Sequence, residues 1–118
     1  MLYIGVLYTI VGFWCLLRPR LASSGLGMNV ENPKALSEFI TVYGAFEIGI
    51  GVAMVICARN PQWVPGAIAF CTIFSVILVV GRLYSFTQAS PDTFTLSLTA
   101  LEVAIAIVFI YLLVRQQA

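Results

Sequence analysis

The sequence predicts an all-α protein: a four-helix transmembrane bundle running up-down-up-down, with both termini on the same side. Composition is the first reason. Of 118 residues, 61% are hydrophobic and 9% charged, with mean hydropathy +1.02, whereas soluble domains carry roughly 25% charged residues. Patterning is the second: four apolar runs alternate with turn-forming polar segments, and each run approaches the roughly 20 residues that a helical crossing needs. The third is a backbone argument. In lipid every N–H and C=O must be bonded within the chain, and a chain this short meets that demand with helices. A single four-span domain, 1–118, with crossings near 2–18, 35–58, 64–86 and 94–114, accounts for the whole length.

The first run, about Leu2 to Leu17, has no basic start, and Arg18-Pro19-Arg20 stands where a cleavage site of small residues would be needed. It therefore reads as a retained crossing rather than a signal peptide. It is short, so it should stand nearly upright or be lengthened by a snorkelling Arg18. Gly5 and Gly12, seven apart, share a face that lets a neighbouring helix approach.

Leu21 to Lys34 is rich in breakers, including Ser23-Ser24-Gly25, Gly27, Asn29 and Asn32-Pro33, and reads as a long polar connection on what is here called side B. Its apolar members, Leu21, Leu26, Met28 and Val30, suggest a loop lying against the membrane surface. Asn32-Pro33 then starts the second helix, with Glu38 in its early turns at the interface.

Arg59-Asn60-Pro61 makes a tight turn on side A, and Pro65 suits the first turn of the third helix. Ser90-Pro91-Asp92 lies in the turn before the fourth helix, which ends at Arg115. Tyr3, Trp63, Tyr84 and Tyr111 fall near helix ends, as an aromatic belt requires. Basic residues do not orient the bundle: Arg18, Arg20 and Lys34 on side B face Arg59, Arg115 and the chain amine on side A.

Several function classes drop out. The net charge is +1 and no basic cluster exists, which leaves no electrostatic footprint for nucleic acid. Histidine is absent, and Cys15, Cys57 and Cys71 lie in apolar runs without CxxC spacing. Those features argue against zinc, haem and dithiol chemistry, so no metal and no cofactor are expected.

Three ionisable side chains interrupt the apolar runs: Glu47, Arg82 and Glu102. A charge at membrane depth is costly unless it is paired, neutralised or wetted. Helix rise places Glu47 roughly 16–18 Å from the side B end of helix two and Glu102 roughly 10 Å from the same side in helix four. Arg82, about one turn from the side B end of helix three, is expected to point into the bundle and form a buried ion pair, with Glu102 first and Glu47 next. Tyr43, four residues before Glu47, shares its face and is placed to donate to it. Gly44, Gly49 and Gly51 make the surrounding surface small, for a close neighbour or for a ligand.

The segments Asn32-Pro33, Ser37-Glu38-Phe39, Tyr43-Gly44-Ala45-Phe46-Glu47-Ile48-Gly49, Ala58-Arg59-Asn60-Pro61, Gly81-Arg82-Leu83-Tyr84-Ser85 and Leu101-Glu102 occur in this order along nearly the whole chain. Together they resemble a bacterial four-helix membrane family known only as a domain of unknown function and distantly DoxX-like. The resemblance implies an integral protein of bacterial inner membranes with no established activity, in which Glu47, Arg82 and Glu102 match recurring polar positions. Small multidrug transporters share the length and span count, but their essential carboxylate lies in helix one, where this chain has no ionisable residue. Quinone-reducing four-helix enzymes need a CxxC pair, which is missing.

The leading expectation is a non-enzymatic membrane protein. It would be an accessory or scaffold subunit that meets lipid, other membrane subunits or its own copies, with the Glu/Arg/Glu set fixing helix packing. The alternative is a proton-coupled transporter of a small or lipid-like molecule using Glu47. A lipid- or quinone-linked enzyme ranks third, since no nucleophile–base pair is visible.

Overall fold

Five helices and no strand occur among the described residues of the computed structural model, which describes residues 1–117. The last residue of the expected domain, Ala118, lies outside them. The helices are α1 (Leu2–Leu17), α2 (Pro19–Gly25), α3 (Pro33–Ala58), α4 (Val64–Ser85) and α5 (Thr93–Gln117). Three of them, α3, α4 and α5, are long and apolar enough to cross a membrane. The first expected crossing is a 16-residue helix that meets that standard only together with α2, from which it is bent by 113°. The chain divides into two compact units, Met1–Arg59 and a second beginning at Asn60.

In the first unit α1 packs antiparallel against α3. Positions five and 12 of α1 meet positions 51 and 44 of α3, so the order of contacts runs in opposite directions along the two helices. A small core of Cys15, Ala22, Val30 and Phe39 ties the end of α1 to α2 and to the start of α3.

Much of the connection expected as a loop is helical, which corrects the sequence reading. Pro19 at the first turn of α2 has no N–H to leave unsatisfied, and Ala22 and Ser23 are buried beneath the core, so packing overrides the turn propensity of Ser-Ser-Gly. The break comes later, at Gly27, whose φ of 74° favours glycine.

Helix α3 begins two residues earlier than expected. The Asn32 side chain accepts the Lys34 N–H at 2.8 Å, and Pro33 occupies the first helical position. Its interior departs from α geometry: Ile40–Phe46 forms a seven-residue π-helical segment, after which α geometry resumes at Glu47. π segments are rare and concentrate at functional positions.

The second unit is a hairpin of α4 and α5. Asp92 starts α5 one residue before the expected boundary: its carboxylate accepts the Thr95 N–H at 2.8 Å, and its carbonyl accepts Leu96 N–H at 3.0 Å. Outward positions on both helices are apolar, with Ile73, Ile77 and Ile107 all 60% exposed or more, as lipid-facing surfaces require. Tyr3, Trp63, Tyr84 and Tyr111 are exposed near helix ends.

Candidate functional site

The polar residues inside the apolar helices form two separate sets, one in each unit. In the second unit, antiparallel register brings Arg82 of α4 to Glu102 of α5. Arg82 Nη2 donates to Glu102 Oε1 at 2.7 Å, and Nε donates to Oε1 at 3.0 Å and Oε2 at 3.4 Å. Two guanidinium nitrogens on one carboxylate give an orientation-specific contact, which lysine would not reproduce. The side chains remain 30% and 13% exposed, so the pair lies at the hairpin's margin rather than buried as expected. Its place near the α4 terminus is the reason, since the helix ends three residues later at Ser85. Ser85 Oγ donates to the Arg82 carbonyl at 2.5 Å, closing the end of the helix.

Two further contacts join this hairpin, and the sequence reading assigned neither. Thr72 Oγ1 is shared between the Ile68 carbonyl, at 2.7 Å, and the Phe109 carbonyl across the interface, at 3.1 Å. Gln116 Nε2 donates to the Pro65 carbonyl at 3.2 Å. The available signal was spacing: Ile68, Thr72 and Ser75 recur at helical intervals and are all buried, with Arg82 seven residues beyond Ser75 on the same face. Ser75 Oγ is buried with no hydrogen-bond partner among the described residues.

In the first unit Glu47 is half-buried at the exit of the π segment and has no hydrogen bond or ion pair among the described residues. Tyr43 does not donate to it. The Tyr43 ring instead stacks on Phe39, with centroids 4.8 Å apart and planes inclined by 15°. The expected Tyr43–Glu47 contact assumed α-helical stacking of residues four apart, and the π segment changes that angle.

Four of the five named glycines make the α1–α3 interface. A Cβ on Gly5 would fall 2.8 Å from the Gly51 carbonyl oxygen, and one on Gly12 would fall 2.8 Å from the Ile48 nitrogen. On Gly44 it would lie 3.1 Å from Leu16 Cα, and on Gly51 2.6 Å from both Gly5 O and Thr9 N. Thr9, which the sequence reading did not single out, donates to the Gly5 carbonyl at 2.8 Å and so turns its hydroxyl into its own helix at the crossing. Gly49 is different: nothing lies within 4 Å of its would-be Cβ, and it is exposed. It faces away from α1 and takes no part in the packing assigned to it.

Among the described residues no three His, Cys, Asp or Glu side chains come together in a way that could hold a metal ion. The chemistry available is therefore that of one paired guanidinium–carboxylate and one unpaired carboxylate. A family model described as "Domain of unknown function (DUF4345)" matches residues 1–113. Comparison with curated proteins and with solved structures finds no match.

Proposed function

The chain belongs to the DUF4345 family, and on that premise we propose that it is a non-catalytic polytopic membrane protein, an accessory or scaffold subunit of a bacterial inner-membrane complex. The observation that carries this reading is the Arg82–Glu102 pair. A guanidinium engaged through two nitrogens fixes the register of α4 on α5 and is committed to its partner, as a packing element is. In the same reading the bent α1–α2 pair supplies a fourth crossing. One domain then runs up-down-up-down with both termini on one side, and the exposed apolar faces meet neighbouring subunits or further copies of the chain. The Tyr43-Gly44-x-x-Glu47-x-Gly49 and Gly81-Arg82-x-x-Ser85 segments support a distant kinship with DoxX-like proteins.

Extraction of the tagged protein in native lipid discs, followed by cross-linking and mass spectrometry, tests the subunit assignment. A reproducible set of membrane proteins or a defined homo-oligomer is expected. Recovery as a lone monomer would remove it.

A second reading has its own support: Glu47 is an unpaired carboxylate inside an apolar helix, directly after a π segment. Such a group suits a proton-coupled carrier of a small or lipid-like molecule. Proton flux in proteoliposomes that disappears in Glu47→Gln would favour it, and equal flux in both proteins would dismiss it.

A further inference from the structure

The elbow between α1 and α2 is used by neither reading. Arg18 turns the chain through 113° between the two helices. Local hydrogen bonds hold the turn: Ala22 N–H donates to the Arg18 carbonyl at 2.9 Å, and Ser23 Oγ donates to the Arg20 carbonyl at 3.1 Å. The inner side of α2 is anchored, since Ala22 and Ser23 are each only 1% exposed.

Its outer side carries an open depression of about 270 Å³ lined by Leu17, Arg18, Pro19, Arg20 and Leu21. Leu17 and Leu21 are 70% and 61% exposed, and both arginines are exposed. Neither arginine has an ion pair among the described residues, and no acidic residue precedes Glu31 in the sequence.

Dimensions place this feature at a definite depth. Sixteen residues of α1 rise about 24 Å, less than the roughly 30 Å of bilayer hydrocarbon. The end of a short apolar helix is drawn to the headgroup level, where arginine stems lie along lipid while their guanidiniums reach phosphate. A helix bent so far from α1 then runs along the surface rather than through it. Two cations above two exposed leucines match the profile of one lipid: an anionic phosphate over an aliphatic chain.

We propose that the α1–α2 elbow is a docking surface for an anionic phospholipid, with its headgroup phosphate held between Arg18 and Arg20 and an acyl chain lying along Leu17 and Leu21. The depression has room for a headgroup, not for a whole lipid, so the chains remain in the bilayer. Arginine is suited to this position because it stays charged at any pH the membrane meets.

Native mass spectrometry of the full chain in mild detergent tests the surface, using phosphatidylglycerol and phosphatidylcholine with identical acyl chains as probes. Wild-type protein is expected to retain phosphatidylglycerol in preference to phosphatidylcholine. Arg18→Gln/Arg20→Gln should weaken phosphatidylglycerol retention by about 10- to 30-fold, at roughly five-fold per arginine. Arg18→Lys/Arg20→Lys should keep most of it, because charge near the surface is preserved. If the double glutamine variant loses helical circular dichroism, Arg20→Gln alone carries the test with its expected five-fold loss. Equal retention of the two lipids by wild type would overturn the proposal. So would undiminished phosphatidylglycerol binding by a folded glutamine variant. Displacement of the lipid by millimolar inorganic phosphate would likewise overturn it, by revealing a simple anion site.

Discussion

The two helix pairs of this chain are joined by opposite means. Where α1 meets α3, side chains are removed: Gly5, Gly12, Gly44 and Gly51 leave the backbones so near that added Cβ atoms would meet the facing helix at 2.6–3.1 Å. Where α4 meets α5, polar side chains are added: Thr72 reaches the Phe109 carbonyl and Arg82 grips Glu102. Water does not drive apolar helices together inside a bilayer, so association rests on close packing or on interhelical hydrogen bonds. This chain uses each device in a different hairpin. Glycine packing tolerates no enlargement, whereas a polar junction tolerates a change of size but not the loss of one partner.

The largest expected effect is therefore steric. Gly12→Leu would drive a side chain into the Ile48 backbone and should cost about 3 kcal/mol, the upper part of the overpacking range. Its local signature would be maleimide labelling of the buried Cys15, followed in a Cys57→Ser background with the buried Cys71 as the second-hairpin reference. Faster labelling of Cys15 is expected, and unchanged protection would remove the steric account.

Breaking the ion pair comes next. Arg82→Leu leaves Glu102 without its cation, at about 2 kcal/mol, below the 3–5 kcal/mol of a fully buried pair because the site is partly exposed. Adding Glu102→Gln should recover part of that loss in thermal unfolding. An additive double variant would mean that the pair contributes no coupling.

A smaller change should follow Thr72→Val, about 0.6 kcal/mol, the typical value for an interhelical hydrogen bond in a membrane protein. Parallel melts against Ser85→Ala, whose hydroxyl bonds only within α4, would separate the interhelical share from the intrahelical one.

The smallest effect is at the exposed Asp92 cap, where the Thr95 backbone N–H holds the carboxyl below the usual carboxylate range. A depressed folded value stabilises the cap fully above the unfolded value of about 3.9 and loses that contribution as pH falls through the folded one. The Thr95 amide resonance should shift in that acidic window and stay unchanged at neutral pH. Asp92→Asn should abolish the shift while keeping a capping oxygen.

The same comparison shows what the residues alone disclose. Gly5 and Gly12 are legible because one helical face at a spacing of seven survives any partner, and the Arg82–Glu102 contact follows from rise per residue and antiparallel order. Gly49 misleads because a glycine's identity does not say which face it occupies. The π segment over 40–46 is invisible because a change in hydrogen-bond register leaves no compositional mark, and with it goes the inferred Tyr43–Glu47 contact. Helix α2 is hidden for another reason: burial of Ala22 and Ser23 by Val30 and Phe39 overrides a sequence that locally favours a turn.

The most direct test of the glycine half of this account compares two glycines of α3 that are two residues apart. Gly51→Ala puts a methyl group into the Gly5 and Thr9 backbones, whereas Gly49→Ala meets nothing within 4 Å. Thermal unfolding of the two variants under identical detergent conditions should therefore diverge. Gly51→Ala should melt lower than wild type, with overpacking of about 1–3 kcal/mol outweighing a helix-propensity gain of about 1 kcal/mol. Gly49→Ala should melt at or above wild type. Equal shifts in the same direction would contradict a close α1–α3 crossing built on glycine.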